Sequence, residues 1–358
     1  MGKINSVIVL GAVAMPGQPA RGGFQSSNLR LVSVLQKIGP AVSIVRYPEP
    51  NGSQVYKGVR YAAALPRILL TVLKRSGRSA AVHFTPYCKH FLPFELMLAA
   101  ATRAKGARLT IDLRAGTQEV HYRKRGAVYR ALYRKLLSLA TVVSYEGQCY
   151  ATFLREVTAR KRAVWIPNFV AAATVRFRTD RPRGPMKLIY VGQVSEAKGV
   201  TAALRVLAEL RKDRVDASLT LVGSADPAYL DKLRSAGLMT EAVTWTGPLC
   251  FDQVREKLDE SHYFLFLSLF TGEGHSNALT EAMARGVVPV CSRHGFNEAV
   301  VGEAGLVFPD RDKAGEIARA MKQKWDAWLS LSQQASARVS ANFSDRQIMR
   351  TLKDLYAF

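Results

Sequence analysis

Glu273 and Glu281 stand eight positions apart in the stretch TGEGHSNALTEAMARG, residues 271–286. Gly274, His275, Ser276 and Asn277 lie between them and read as a loop running into a helix start. Ser276 or Asn277 can cap that helix, because either side chain can accept from the first free N–H groups. The helix is expected over Ala278–Arg285 and ends at Gly286, with Pro289 beyond. Strands are expected before it (262–268) and after it (287–291). One carboxylate then sits at a strand exit and the other on the following helix, with unpaired backbone N–H groups between them. Such N–H groups bind anions, phosphate above all. Carboxylates accept hydrogen bonds from hydroxyls. The set suits a ligand with both phosphate and polyol parts, although a strand followed by a capped helix also occurs for structural reasons alone.

Three other places carry chemistry of the same kind. In YVGQVSEAKG, residues 190–199, a strand ends near Gly192 and Lys198 precedes a helix, where an ammonium can neutralise a diphosphate. The turn Thr246-Gly247-Pro248-Leu249 follows another strand, and its backbone could face a nucleobase. Gly22 and Gly23 follow the first strand and lead into a helix, so a ligand can approach the backbone closely. There is no GxGxxG fingerprint to mark a dinucleotide. In the first half, Asp112 and His83 each end a strand. Asp112 reads either as a polar group at a reacting centre or as a cap on its own loop, and His83 reads first as a core histidine.

These residues need a scaffold that sets strand ends beside helix starts. The sequence supplies one by alternating Val/Ile/Leu-rich runs with amphipathic segments such as NLRLVSVLQKIG and VTAALRVLAELRK. Apolar runs of this kind suit parallel strands buried on both faces. Six are expected in each half, which gives an α/β chain of two Rossmann-like, doubly wound parallel-sheet domains facing a cleft. The boundary is placed after Pro167 and Asn168. Residues 1–168 form one domain and 169–341 the other, with a linker over 171–186 and a terminal helix, about 342–358, packing back on the first domain.

The chain has 358 residues and a net charge of +23. Residues 1–168 hold 26 Lys and Arg against 6 Asp and Glu, a net of +20, and residues 169–358 hold 25 against 22, a net of +3. A charge gathered in one half points to an anionic partner for that half. Within it, HYRKRGAVYRALYRKLL, residues 121–137, reads as a basic amphipathic helix. It carries Arg123, Lys124, Arg125, Arg130, Arg134 and Lys135, with Val128, Leu132, Leu136 and Leu137 on an apolar side. A second basic stretch runs from Arg67 to Arg78. No apolar run is long enough to span a bilayer. The four cysteines form no metal spacing and read as reduced core thiols.

With these pieces in order, the second half resembles the retaining glycosyltransferases of family 4, the group 1 glycosyl transferases, which have the GT-B fold. The resemblance rests on Pro167-Asn168, GQVSEAKG, LVGSAD (221–226), TGP (246–248), EGHSNALTEAMARG and AGLVFP (304–309), and it covers nearly all of residues 163–310. It implies that Glu281 holds ribose hydroxyls and Glu273 the donor sugar. The backbone of Gly274–Asn277, with Ala278, would meet the sugar and diphosphate. Lys198 would meet the diphosphate, and Gly23 would approach the phosphate from the other domain. The family usually has Arg where this chain has Gln193, which cannot pair bidentately with phosphate; Arg285 or a first-domain Arg is the expected substitute. The implied reaction is transfer of a hexose from a UDP- or GDP-linked sugar to a glycan or lipid-linked acceptor in bacterial surface polysaccharide synthesis. Configuration is retained without metal or cofactor. The expected location is the cytoplasm, peripherally on the anionic inner face of the plasma membrane. The competing readings are a nucleic-acid-binding protein, for which stacked aromatic clusters are not evident, and a nucleotide-sugar epimerase or sugar phosphorylase.

Overall fold

The computed structural model describes residues 4–15, 18, 22–48, 54–114, 116–158, 162–181 and 184–356. The expected linker and terminal helix therefore lie outside the described residues at 182–183 and at 357–358. The chain divides into two compact units, Met1–Asn168 with Asp345–Phe358, and Phe169–Ser344. Among the described residues no helix is long and apolar enough to cross a membrane.

The first unit is built on six parallel strands: β1 (Ser6–Gly11), β2 (Ala41–Arg46), β3 (Ala80–Phe84), β4 (Arg108–Leu113), β5 (Val142–Tyr145) and β6 (Arg162–Trp165). They lie in the order β2-β1-β3-β4-β5-β6. Strands β1, β3 and β4 are buried almost throughout, as strands covered on both faces must be. The chain moves outward from β1 to β2 and then returns across to β3, so the strand order reverses between β1 and β3. The helix Gly23–Ile38 packs on β1 and β2 and against the terminal helix Asp345–Tyr356. That terminal helix buries Ile348, Leu352, Leu355 and Tyr356, and Asp345 pairs with Lys37 at 3.1 Å.

The second unit repeats the plan with β7 (Met186–Val191), β8 (Ala217–Val222), β9 (Val243–Gly247), β10 (Tyr263–Phe266), β11 (Val288–Ser292) and β12 (Leu306–Phe308). All pairings are parallel, in the order β12-β11-β10-β7-β8-β9. Here the order reverses between β7 and β10. Open parallel sheets bind ligands beyond the carboxyl ends of the strands at such a reversal, so each unit offers one preferred place.

Three expectations are corrected. The stretch 121–137 is two helices, Gln118–Lys124 and Ala127–Leu139, broken at Arg125-Gly126. The Gly126 N-cap has an extended backbone (ψ 173°), which turns the chain between them. Val128 is 76% exposed, whereas Tyr133, Leu136 and Leu137 are fully buried. The apolar side is therefore used in the core, and the six basic residues stand exposed without it. Among its described residues the stretch 171–186 has little regular structure but is anchored rather than free: Ala172–Thr174 forms a 3-10 turn, β7 begins at Met186, and Arg178 is buried. Its guanidinium donates to the carbonyls of Arg285 at 2.9 Å and Leu258 at 2.8 Å. Finally, Cys88 and Cys291 are core thiols, but Cys149 and Cys250 are exposed.

Candidate functional site

In the second unit, the loops that follow β7 and β10 meet where the strand order reverses. Leu269 N donates to Ala197 O at 2.9 Å, and Arg311 Nη1 donates to the carbonyls of Glu196 and Leu267 at 3.1 and 3.2 Å. Gly199, the N-cap of the helix Val200–Lys212, has a φ of 84°. A Cβ there would lie 2.1 Å from Leu267 O, so only glycine permits the approach. This stitching brings Lys198 to Glu273: the ammonium lies 2.8 Å from Glu273 Oε2. Ser268 Oγ donates to the same oxygen at 2.7 Å, and the Phe270 ring lies 4.3 Å from Lys198 Nζ. The carboxylate is 8% exposed and the lysine side chain 21%. A nearly buried anion is thus held beside a cation that still reaches solvent.

The next turn is a helix N-terminus. The helix spans Asn277–Ala284 and Ser276 is its N-cap, accepting from Leu279 N at 3.4 Å. Gly274, Ser276, Asn277, Ala278 and Glu281 are half-buried. His275 differs, because its ring is buried, bonded to Thr280 Oγ1 at 2.7 Å and packed edge-on against Phe343. It offers its backbone rather than its imidazole. Gln193 is exposed, and its carbonyl accepts from Tyr190 OH at 2.8 Å. Gly247 ends β9 with open space around its Cα. Beside it Trp245, 37% exposed, donates from its indole to Gly223 O at 2.9 Å. Arg285 does not substitute for the missing arginine: Asp259 binds it bidentately, and Thr174 O accepts from it at 2.8 Å.

In the first unit, Gly22 caps the helix Gly23–Ile38 with a positive φ of 86° and an extended ψ of 174°. Asp112 is turned inward and is fully buried. Its carboxylate lies 2.7 Å from Arg114 Nε and 3.2 Å from His83 Nε2, and it accepts from Ser144 Oγ at 2.8 Å. Burial raises its pKa, but the Arg114 guanidinium and His83 outweigh that and hold it well below the usual carboxylate range. His83 is likewise buried, and its Nδ1 lies 2.7 Å from Tyr356 OH. Asp112 is thus a buried anion near the end of β4, paired on every side by groups of its own unit.

Ser268, Phe270, Trp245 and Arg311 were not singled out from sequence. The signal for Ser268 was present, since a hydroxyl at the end of an apolar strand calls for a partner, and Glu273 is five residues on.

Two six-stranded parallel sheets flanked by helices define the GT-B fold. Sucrose-phosphate synthase from Thermosynechococcus elongatus superposes with a TM-score of 0.73 at 18% identity, over 98% of each chain. Anabaena HepE in complex with UDP-glucose gives 0.71 at 13% identity, over 98% of this chain and 99% of that one. Residues 185–326 match the family model described as Glycosyl transferases group 1. Among curated proteins, glycogen synthase of Mycobacterium tuberculosis is 28% identical over 199 residues, 53% of this chain and 47% of its own length. The putative colanic acid biosynthesis glycosyltransferase WcaL of Salmonella typhimurium is 28% identical over 185 residues, 49% of this chain and 45% of its own length. The chain spans about half the length of the curated relatives it matches.

Proposed function

We propose that this protein is a retaining glycosyltransferase that moves a hexose from a nucleoside diphosphate sugar to a lipid-linked glycan acceptor. The observation that carries the reading is the Lys198–Glu273–Ser268 cluster at the strand-order reversal of the second sheet, set against the N-terminus of the helix Asn277–Ala284. A diphosphate needs positive charge and N–H donors, and a sugar needs hydroxyl acceptors; this cluster supplies both where the loops after β7 and β10 meet. The match over residues 185–326 covers the same elements, and a structure of the same fold holds UDP-glucose.

In this reading Lys198 and the N–H groups from Gly274 to Ala278 bind the diphosphate. Glu273 accepts from the sugar hydroxyls, Glu281 accepts from the ribose, and the backbone at Gly247 borders the base. Gly22 and Gly23 offer a backbone that a phosphate can approach. Transfer breaks the bond between the anomeric carbon and the β-phosphate oxygen, and the electron pair leaves with the nucleoside diphosphate. The acceptor oxygen forms the new bond and its proton passes to the departing phosphate. The chain's contribution is electrostatic: charge growing on the leaving group meets Lys198 and a helix N-terminus already in place. No metal or cofactor is part of the scheme. Asp112 keeps a positioning role through Arg114.

The first unit is the acceptor side in this proposal, and its basic surface binds anionic lipid. The exposed Arg123, Lys124, Arg125, Arg130, Arg134 and Lys135 supply charge. Exposed apolar side chains come from another helix, Gln54–Arg75, at Val59 and Leu70. The decisive experiment is a panel of UDP-, GDP- and ADP-sugars, read by thermal shift and by nucleotide release. Stabilisation by one nucleotide series is expected, and no shift with any member would overturn the proposal.

A further inference from the structure

The strand order of the first sheet also reverses, between β1 and β3, and the loop after β3 is unusual. Cys88 and Lys89 adopt φ of 58° and 56°, a left-handed pair in which neither residue is glycine. Such strain persists only where the surroundings impose it, and it gathers at binding sites. Here the imposing group is Glu95, buried on the helix Leu92–Ala104. Its carboxylate accepts from Tyr87 N at 2.7 Å and Cys88 N at 2.8 Å. The loop is tied to the helix Gly23–Ile38 as well, since Thr85 Oγ1 donates to Asn28 Oδ1 at 2.9 Å.

Held this way, the loop carries both cationic and aromatic side chains. Lys89 and His90 are exposed. Lys89 N donates to Tyr129 OH at 3.2 Å. The same Tyr129 ring lies edge-on to His121, with centroids 5.3 Å apart, and Arg125 sits 5.9 Å above it. Arg125 Nε is 3.2 Å from His121 Nε2. His121 loses proton affinity through burial and then through Arg125, Lys89 and His90, so the four groups share one unbalanced field. Among the described residues no carboxylate pairs with any of them. Two residues before Lys89, Tyr87 meets Phe24 and Phe91 at 5.1 and 6.2 Å between centroids, and all three rings are half-buried.

We propose that Lys89, His90, His121 and Arg125 bind a phosphate of the acceptor, and that the Phe24–Tyr87–Phe91 face takes the group attached to it. This rests on the glycosyltransferase reading above and places the acceptor's charged end at the reversal of the first sheet. Cationic side chains gathered without a carboxylate set up a positive field that attracts an anion, and aromatic rings on the same loop suit a prenyl chain or the apolar face of a sugar.

The test uses the full chain with carbon-13-labelled histidine, its six histidine signals assigned by single His→Gln changes. Inorganic pyrophosphate, geranyl diphosphate and neutral octyl glucoside are titrated separately. Both phosphates should move the His90 and His121 signals saturably, and octyl glucoside should not. A Lys89→Asn/Arg125→Gln variant keeps a residue tolerant of the left-handed backbone at 89 and should weaken phosphate binding at least about tenfold. Tighter binding of geranyl diphosphate than of pyrophosphate identifies a lipid-linked source, and equal binding a soluble phosphorylated acceptor. Unmoved His90 and His121 signals, or equal shifts in the variant, overturn the proposal. Thermal shift by nucleotide sugars in the same samples keeps this failure separate: if that shift persists, only the acceptor subsite is lost.

Discussion

Lys198 is the residue on which the donor-site argument turns, because it is a cation held against a nearly buried carboxylate and an aromatic ring. Lys198→Ala should weaken binding of the cognate nucleoside diphosphate by about 1.5–3 kcal/mol, the value of hydrogen bonds to charged groups. Calorimetry should show binding of the bare nucleoside unchanged. Glu95 makes a different prediction. Burial raises its pKa to about 8, against the lowering effect of the Tyr87 and Cys88 N–H groups. The folded protein therefore holds a proton there that the unfolded chain releases near its ordinary value. The contribution of Glu95 to stability is full below about pH 4.5 and falls as pH rises to about 8, by at most about 1.4 kcal/mol per pH unit. Chemical denaturation across that window should show the decline, and Glu95→Gln should flatten it. From sequence, Glu273, Glu281 and Lys198 were legible because each stands at an expected strand exit or helix start. Glu95 was not, since a glutamate in a helix gives no sign that a loop folds over it. The inward turn of the His275 ring was not legible either, because it depends on partners, Thr280 and Phe343, that sequence alone does not place beside it.

At the scale of elements, the six strands expected in each half all form, because apolar runs bounded by polar turns leave little freedom in a parallel sheet. The basic stretch 121–137 failed as a single helix because periodicity continues across Arg125-Gly126 while the backbone does not. That break carries Arg125 to Tyr129. Gly199 offers a test of the β7 and β10 loops. Gly199→Ala would place a methyl within 2.1 Å of Leu267 O in a left-handed backbone. It should cost at least about 2 kcal/mol of stability, measured by denaturation, and abolish the nucleotide-induced thermal shift. The terminal helix offers another. Tyr356 OH lies 2.7 Å from His83 Nδ1 and 3.3 Å from Thr110 Oγ1. Tyr356→Phe would leave the buried His83 Nδ1 without its partner and should cost about 1–3 kcal/mol.

For the whole molecule, the uneven charge was the most legible property, being a matter of counting, while its use was not. The +20 of the first half spreads over helices whose apolar sides face the core, so attraction to lipid should be mainly electrostatic. Flotation with anionic vesicles should fall steeply from low to high salt and vanish with neutral lipid. Salt-insensitive binding would instead indicate insertion through Val59 and Leu70. The return of Asp345–Tyr356 to the first unit has a further consequence, for the order in which the chain folds. The second unit interrupts the first, so the ribosome must make all of Phe169–Ser344 before the last helix of the first unit emerges. At about 5–20 residues per second that is a delay of roughly ten to thirty seconds. Throughout it, the surface that will receive Ile348, Leu352 and Leu355 is open, and His83 has no tyrosine to meet. The inserted unit has its own complete sheet and can close first, so the half that begins the chain is the half that finishes folding last.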